Sequence, residues 1–251
     1  YLPINLFKNS DMKKHIPNLI TSMNVISGTL AIFMAMYGHL TLAAGSILLG
    51  MIFDFFDGMT ARLLHVKSDI GKELDSLADV VSFGVAPAVL AHFLMLKTLP
   101  GESMEHFFEW RLWEQLMICT PLLIPAFSAY RLAKFNLDIR QTTSFIGMPT
   151  PANALFWGGL VFGYSCAPTL YHVLFGNVAV LGFCALILSI LLVSELPMFS
   201  LKISGLGWVE NKIRYAYLVS LVICICIFGW AVVFLIVPLY ILFSLFALLI
   251  K

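Results

Sequence analysis

From position 17 onward the chain alternates between apolar runs and short polar connectors, and no other feature restricts its fold as strongly. Crossing the hydrocarbon core of a bilayer takes about 20 mostly apolar residues in a helix. Runs of that kind occupy roughly 17–37, 40–64, 70–96, 115–137, 150–166, 177–198, 214–229 and 231–250. The last two are continuous in apolar character. They are divided near Gly229 because one helix through both would overshoot the bilayer. Of the 251 residues, 60% are hydrophobic and 12% charged, and the mean hydropathy is +0.93. A soluble domain has about 25% charged residues. Backbone polar groups in lipid must be satisfied within the segment, which makes each run a helix. The expected fold is therefore all-α: a polytopic membrane helical bundle of about eight transmembrane helices.

Charge placement orients that bundle. With the first residues in the cytoplasm, only Lys97 and Arg111 of the 15 lysines and arginines fall in outside loops. A bias of that size predicts both ends inside and an even number of spans. Residues 1–16 mix Leu2, Ile4, Leu6 and Phe7 with Lys8, Lys13 and Lys14. They are expected to form a cytoplasmic juxtamembrane segment with a short N-terminal interfacial helix, ahead of one membrane domain over 17–251. The net charge of +1, with no basic block interleaved with aromatics, argues against a nucleic-acid polymer as partner. The five cysteines lie in or beside apolar runs and read as buried thiols. None of the six histidines is spaced as a metal pair.

The acidic residues break the pattern. Asp54 and Asp57 stand i, i+3 near the inner end of the second run, and Asp75 and Asp79 stand i, i+4 near the start of the third. On helices each pair shares a face, and the short connector makes the two helices antiparallel neighbours. Four carboxylates brought together repel one another and resist desolvation, so a positive partner is required. Few lysines or arginines are in reach. A set of hard oxygen ligands suits Mg2+ or Mn2+, and four carboxylates are enough for two ions, an arrangement used in phosphoryl displacement. Gly58, Ala61 and Arg62 follow Asp54 on its face. Gly58 serves either close helix packing or space for a ligand. Arg62 serves either as an ion-pair partner of the acids or as a phosphate ligand.

The stretch 54–79 reads Asp54-x2-Asp57-Gly58-x2-Ala61-Arg62-x8-Gly71-x3-Asp75-x3-Asp79. It resembles the signature of the CDP-alcohol phosphatidyltransferase family at all eight positions. The resemblance is greatest to the bacterial and archaeal branch whose acceptor is serine. It extends to "IPNLITSMNVISG" (16–28), "GKELDSLADVVSFGVAPA" (71–88), "RLAKFN" (131–136), "FIGMPTPANA" (145–154) and "VSELPMFSLK" (193–202). The resemblance implies an integral membrane enzyme of the cell's inner (cytoplasmic) membrane, its active site facing the cytoplasm. Such an enzyme moves the phosphatidyl group of CDP-diacylglycerol to the hydroxyl of L-serine and releases CMP. It also implies a homodimer among membrane lipids.

Carried over residue by residue, the resemblance implies that Asp54, Asp57, Asp75 and Asp79 hold the divalent ions and that Asp79 is the catalytic base. It places Gly58, Ala61, Arg62 and Ser68 near the cytidine diphosphate, with Asn18 and Thr21 as further contacts. Asn18 could instead cap a helix, and Ser68 could sit in a turn. For the serine carboxylate the candidates are Arg131 or Lys134, with Asn136 nearby; anchoring to anionic headgroups competes for both cations. The stretch from Pro149 to Asn153 opens the fifth run, where its resemblance to the serine branch suggests a place near the acceptor. Two other readings stand beside this one: the same chemistry with glycerol 3-phosphate or inositol phosphate as acceptor, and a cation transporter, since acids at membrane depth also mark ion paths.

Overall fold

The computed structural model describes residues 9–66, 68–137, 145–198 and 208–249. Helix α1 (Asn9–Met36) turns at Gly38, whose φ of +81° suits glycine, into α2 (Leu40–Leu63). The two pack as an antiparallel hairpin. Both carry small buried residues (Ala31 and Ala35 on α1, Ala43 on α2), the kind that lets membrane helices approach closely. The third span, Asp69–Leu96, has three parts: α3 (Asp69–Asp79), a π-helical turn (Val80–Val85) and α4 (Ala86–Leu96). It starts where Ser68 accepts a hydrogen bond from Gly71 N at 3.2 Å, an ordinary N-cap.

The π turn is where neighbouring helices meet the third span. Ser82 Oγ donates to the carbonyl of Asn24 on α1 at 2.9 Å, and Gly28 of α1 lies against the same serine. On the other side Gly84 meets Pro125 and Ser128 of α6 (Leu123–Leu137). Short α5 (Leu112–Ile118) and a 3-10 turn lead into α6, and together they make the span Leu112–Leu137.

Helix α7 (Thr150–Cys166) runs antiparallel to α2. Ser165 Oγ lies 3.1 Å from Thr41 Oγ1 at one end, and Gly158 sits beside Ala44. Helices α8 (Pro168–Phe175) and α9 (Val178–Val193) are bent by 74°. A two-residue strand pair, β1 (Phe145–Ile146) with β2 (Pro197–Met198), ties the segment before α7 to the end of α9. Helix α10 (Trp208–Phe228) ends at Gly229, and a 3-10 stretch (Gly229–Leu235) leads to α11 (Ile236–Leu249). The last apolar run is therefore broken where the sequence predicted. Gly229 has φ +67°, outside the right-handed helical region.

The core is apolar, with Trp157, Phe83, Leu90, Leu94 and Leu160 fully buried. Large apolar side chains such as Leu19, Ile26, Phe33, Phe183 and Ile223 point outward, as they do where the surrounding solvent is lipid. The bundle is an all-α polytopic membrane fold.

Two expectations change in detail. Against the count of about eight spans, five helices among the described residues are long and apolar enough to cross a membrane, or six if bent α8 and α9 form one. Helix α7, with 17 residues, and the 17-residue apolar stretch Val232–Leu248 fall just short of that length. The predicted interfacial helix is not a separate element from Asn9 on, because that helix runs unbroken into the first span. Residues 1–8 lie outside the described residues, as do Lys67, Arg140, Lys202 and Lys251 of the charge bias.

Candidate active site

Three helices build the site: α2 and α3 carry the acids and α1 covers them. Asp54, Asp57 and Asp75 each offer a carboxylate oxygen within 4.8 Å of the others. Asp54 also lies within hydrogen-bonding reach of Asp79, so all four aspartates form one group. Asp57 and Asp79 are buried, and Asp54 and Asp75 half-buried. Helix α1 lines the group with polar side chains. Thr21 Oγ1 donates to Asp57 Oδ2 at 2.6 Å, and Asn24 Nδ2 donates to Asp79 Oδ1 at 3.4 Å.

No lysine or arginine among the described residues forms an ion pair with these acids. Arg62 Nε donates to the carbonyl of Gly58 at 3.0 Å, one turn back on its own helix. Lys72 Nζ donates to the carbonyl of Asn136 at 3.0 Å. The ion-pair role considered for Arg62 is thus not the one it takes. Partly buried carboxylates without a paired lysine or arginine are costly, and another positive partner offsets that cost. Oxygens of Asp54, Asp57 and Asp75 that lie within 4.8 Å of one another can meet on one hard cation. The donor set therefore fits a divalent ion.

A cleft of about 330 Å³ opens beside the acids, within the range of ligand pockets. Of the six residues expected near the nucleotide, Asn18, Thr21, Gly58, Ala61 and Ser68 line it together with Asp57 and Asp75. Arg62 instead lines a neighbouring recess with Ala61, His65 and Val66. A Cβ added to Gly58 would meet nothing within 4 Å, so this glycine faces open space and not a helix contact. A Cβ on Gly71 would lie 2.9 Å from Asn18 Oδ1, so there the glycine does serve packing. Asn18 is no cap, because α1 begins nine residues earlier at Asn9.

The three residues considered for serine part company. Arg131 is 8% exposed and faces Asp79 and Tyr240, its guanidinium 5.9 Å from the Phe135 ring centre. Helix α6 runs antiparallel to the third span, with Asn136 Nδ2 donating to Ser76 Oγ at 2.9 Å and Ser128 against Gly84. Asp79 and Arg131 both fall between those two rungs. Lys134 is instead paired with Glu195 at 2.9 Å, and Asn136 is engaged by α3.

Asn24 and Ser82 were not singled out by sequence reasoning. A signal for Asn24 existed: Asn18, Thr21 and Asn24 recur every three residues in an otherwise apolar run, a polar stripe on one helix face. Ser82 had none, because its direction depends on the π turn.

Comparison with known proteins adds the following. The family model described as CDP-alcohol phosphatidyltransferase matches residues 14–192. A protein of Bacillus subtilis (strain 168) named CDP-diacylglycerol–serine O-phosphatidyltransferase is 40% identical over 151 residues, 60% of this chain and 77% of that one. A protein of the same name from Helicobacter pylori strain J99 is 35% identical over 184 residues, 72% of this chain and 70% of its own. Another from Methanocaldococcus jannaschii is 33% identical over 218 residues, 85% of this chain and 84% of its own.

Proposed function

The chain belongs to the CDP-alcohol phosphatidyltransferase family, and from that premise we propose that it makes phosphatidylserine and CMP from CDP-diacylglycerol and L-serine. The observation that carries this reading is the four-aspartate group opening on a nucleotide-sized cleft, in a chain similar over most of its length to enzymes named for that reaction.

Each part of the site has a task. Asn18, Thr21, Gly58, Ala61 and Ser68 receive the cytidine end of the lipid nucleotide, and bare Gly58 leaves room for it. Arg62, in the recess next to that cleft, turns its remaining guanidinium nitrogens to a phosphate while Nε stays on the Gly58 carbonyl. Asp54, Asp57, Asp75 and Asp79 hold Mg2+ or Mn2+, two ions in all. A divalent ion held by these carboxylates would supply positive charge to the diphosphate and to the CMP oxygen. Asp79 takes the proton of the serine hydroxyl. The serine oxygen forms its bond to the phosphorus nearest the lipid as the bond from that phosphorus to the CMP oxygen breaks, and CMP leaves with the electron pair. Asn24 and Thr21 orient Asp79 and Asp57. Arg131 takes the serine carboxylate.

The site opens at the ends of α2 and α3 that carry most of the cations, which supports a cytoplasmic active site in the inner membrane. The enzyme works as a homodimer there.

The test is CMP release by the purified full-length protein in detergent, supplied with CDP-diacylglycerol and Mn2+ or Mg2+. Serine supports release and glycerol 3-phosphate and inositol phosphate do not; chelation by EDTA abolishes it. Asp79→Asn loses at least a hundredfold in turnover while still binding CDP. Release with glycerol 3-phosphate but not serine would refute the acceptor assignment.

A further inference from the structure

At the start of α7 and on α6 the fold leaves buried polar groups unsatisfied. Thr150 and Asn153 on the first turns of α7 are fully buried. Neither Thr150 Oγ1 nor either end of the Asn153 amide has a partner among the described residues. Arg131 Nε on α6 is equally unpartnered. Upward of nine in ten buried polar groups are hydrogen-bonded in native proteins. Unsatisfied atoms on two helices that both pack against the π turn therefore point to a missing ligand.

The helix geometry brings them together. On α7, Gly158 faces Ala44 of α2 and Gly159 faces the backbone of Phe234. At about 100° per residue, Thr150, Asn153, Trp157 and Leu160 form a third stripe that looks toward neither. Besides the adjoining α8, the remaining neighbours of α7 include α4, the π turn after Asp79 and α11. Depth agrees as well. Met148, just before α7, donates from its backbone to the carbonyl of Leu191 at 3.0 Å. Lys134 of α6 meets Glu195, just past the end of α9. The first turn of α7 and the Arg131 turn of α6 thus lie at one level along α9.

The chemistry of the groups is that of an α-amino acid site. Helix α7 starts at Pro149 without a side-chain cap, so its positive end favours a carboxylate. Thr150 Oγ1, Asn153 Nδ2 and Arg131 Nε are all donors to such an anion, and Asn153 Oδ1 accepts from an ammonium. One guanidinium with neutral donors matches a monoanion better than a phosphate dianion, which sets serine apart from phosphorylated acceptors.

We propose that Thr150 and Asn153, at the start of α7, complete with Arg131 the pocket that recognises the carboxylate and ammonium of the acceptor amino acid. This inference rests on the serine reading above and names residues that decide its specificity.

Steady-state kinetics of the full-length protein in detergent test it, with serine and serinamide as acceptors. Asn153→Leu and Thr150→Val keep side-chain volume and remove the polar atoms. Each is expected to raise the KM for serine about tenfold or more, to leave the KM for CDP-diacylglycerol and CDP binding within twofold, and to narrow the preference for serine over serinamide. Thr150→Ser restores the wild-type KM. A purely structural role predicts instead an unchanged serine KM and lower thermal stability in Asn153→Leu, whereas removing an amide that only a ligand satisfies leaves the stability of the free protein equal or higher. Wild-type serine KM in both variants overturns the pocket alone. No CMP release with serine in the wild type overturns the acceptor reading and the pocket with it.

Discussion

Gly58 and Gly71 stand in the same signature and do different things. Gly58 borders open space in the cleft, while Gly71 lets α3 close on Asn18 of α1. Sequence alone left Gly58 divided between packing and ligand space, because helical spacing says which face a residue takes but not what lies opposite. Their alanine variants should therefore separate. Gly58→Ala is expected to raise stability by up to about 1 kcal/mol, the helix preference of alanine over glycine, and to weaken CDP binding. Gly71→Ala puts a Cβ 2.9 Å from Asn18 Oδ1, so that amide must turn aside, and the variant is expected to lose about 1 kcal/mol and not to gain stability. Thermal unfolding in detergent and CDP titration check both; equal nucleotide affinity in Gly58→Ala and wild type would count against its place beside the ligand. Arg62 follows the same logic. Its spacing from Asp54 allowed an ion pair, but the side chain turns to the carbonyl of Gly58 and the adjoining recess.

At the scale of elements, the decisive feature is the π turn, Val80–Val85, directly after Asp79. It adds a residue to one turn and so shifts the phase of everything beyond it. Ser82 is brought onto the Asn24 carbonyl and Gly84 onto α6. Nothing in "DVVSFGV" announces this, because an apolar run with small residues is equally compatible with a regular helix. The spans themselves were legible from hydropathy, and so was the break at Gly229. Span count was less so, since helix length depends on where each end is capped or bent. The fit of α1 to the π turn is close enough to test. A Cβ on Gly28 would lie 2.4 Å from Ser82 Oγ and 2.7 Å from its Cα. Gly28→Leu should therefore separate α1 from the third span, lowering stability by about 1–3 kcal/mol and displacing Asn24 from Asp79. Wild-type melting and wild-type turnover in that variant would show that the contact does not position the base.

For the whole molecule, the acids make the bundle's stability depend on a cation. Helices α2 and α3 hold repelling carboxylates at their junction, so an ion bound there stabilises the folded state by mass action. At a hundred times its dissociation constant the gain is about 2.7 kcal/mol. Mn2+ is expected to raise the melting temperature of the wild type and to leave that of Asp54→Asn/Asp57→Asn unmoved. An equal shift in both proteins would place the stabilising ion elsewhere.

The sequence by itself determined that the chain is a membrane helical bundle, that four aspartates meet where two of its helices join, and which signature they compose. These follow from local periodicity: run length sets the spans, and i, i+3 and i, i+4 spacing sets shared faces. Only the tertiary structure decided that Arg131, and not Lys134 or Asn136, faces Asp79; that Arg62 turns away from the acids; and that Asn24 and Ser82 join the site. Those outcomes depend on the phase and depth of one helix against another, which a π turn or a close glycine contact changes without altering any local pattern.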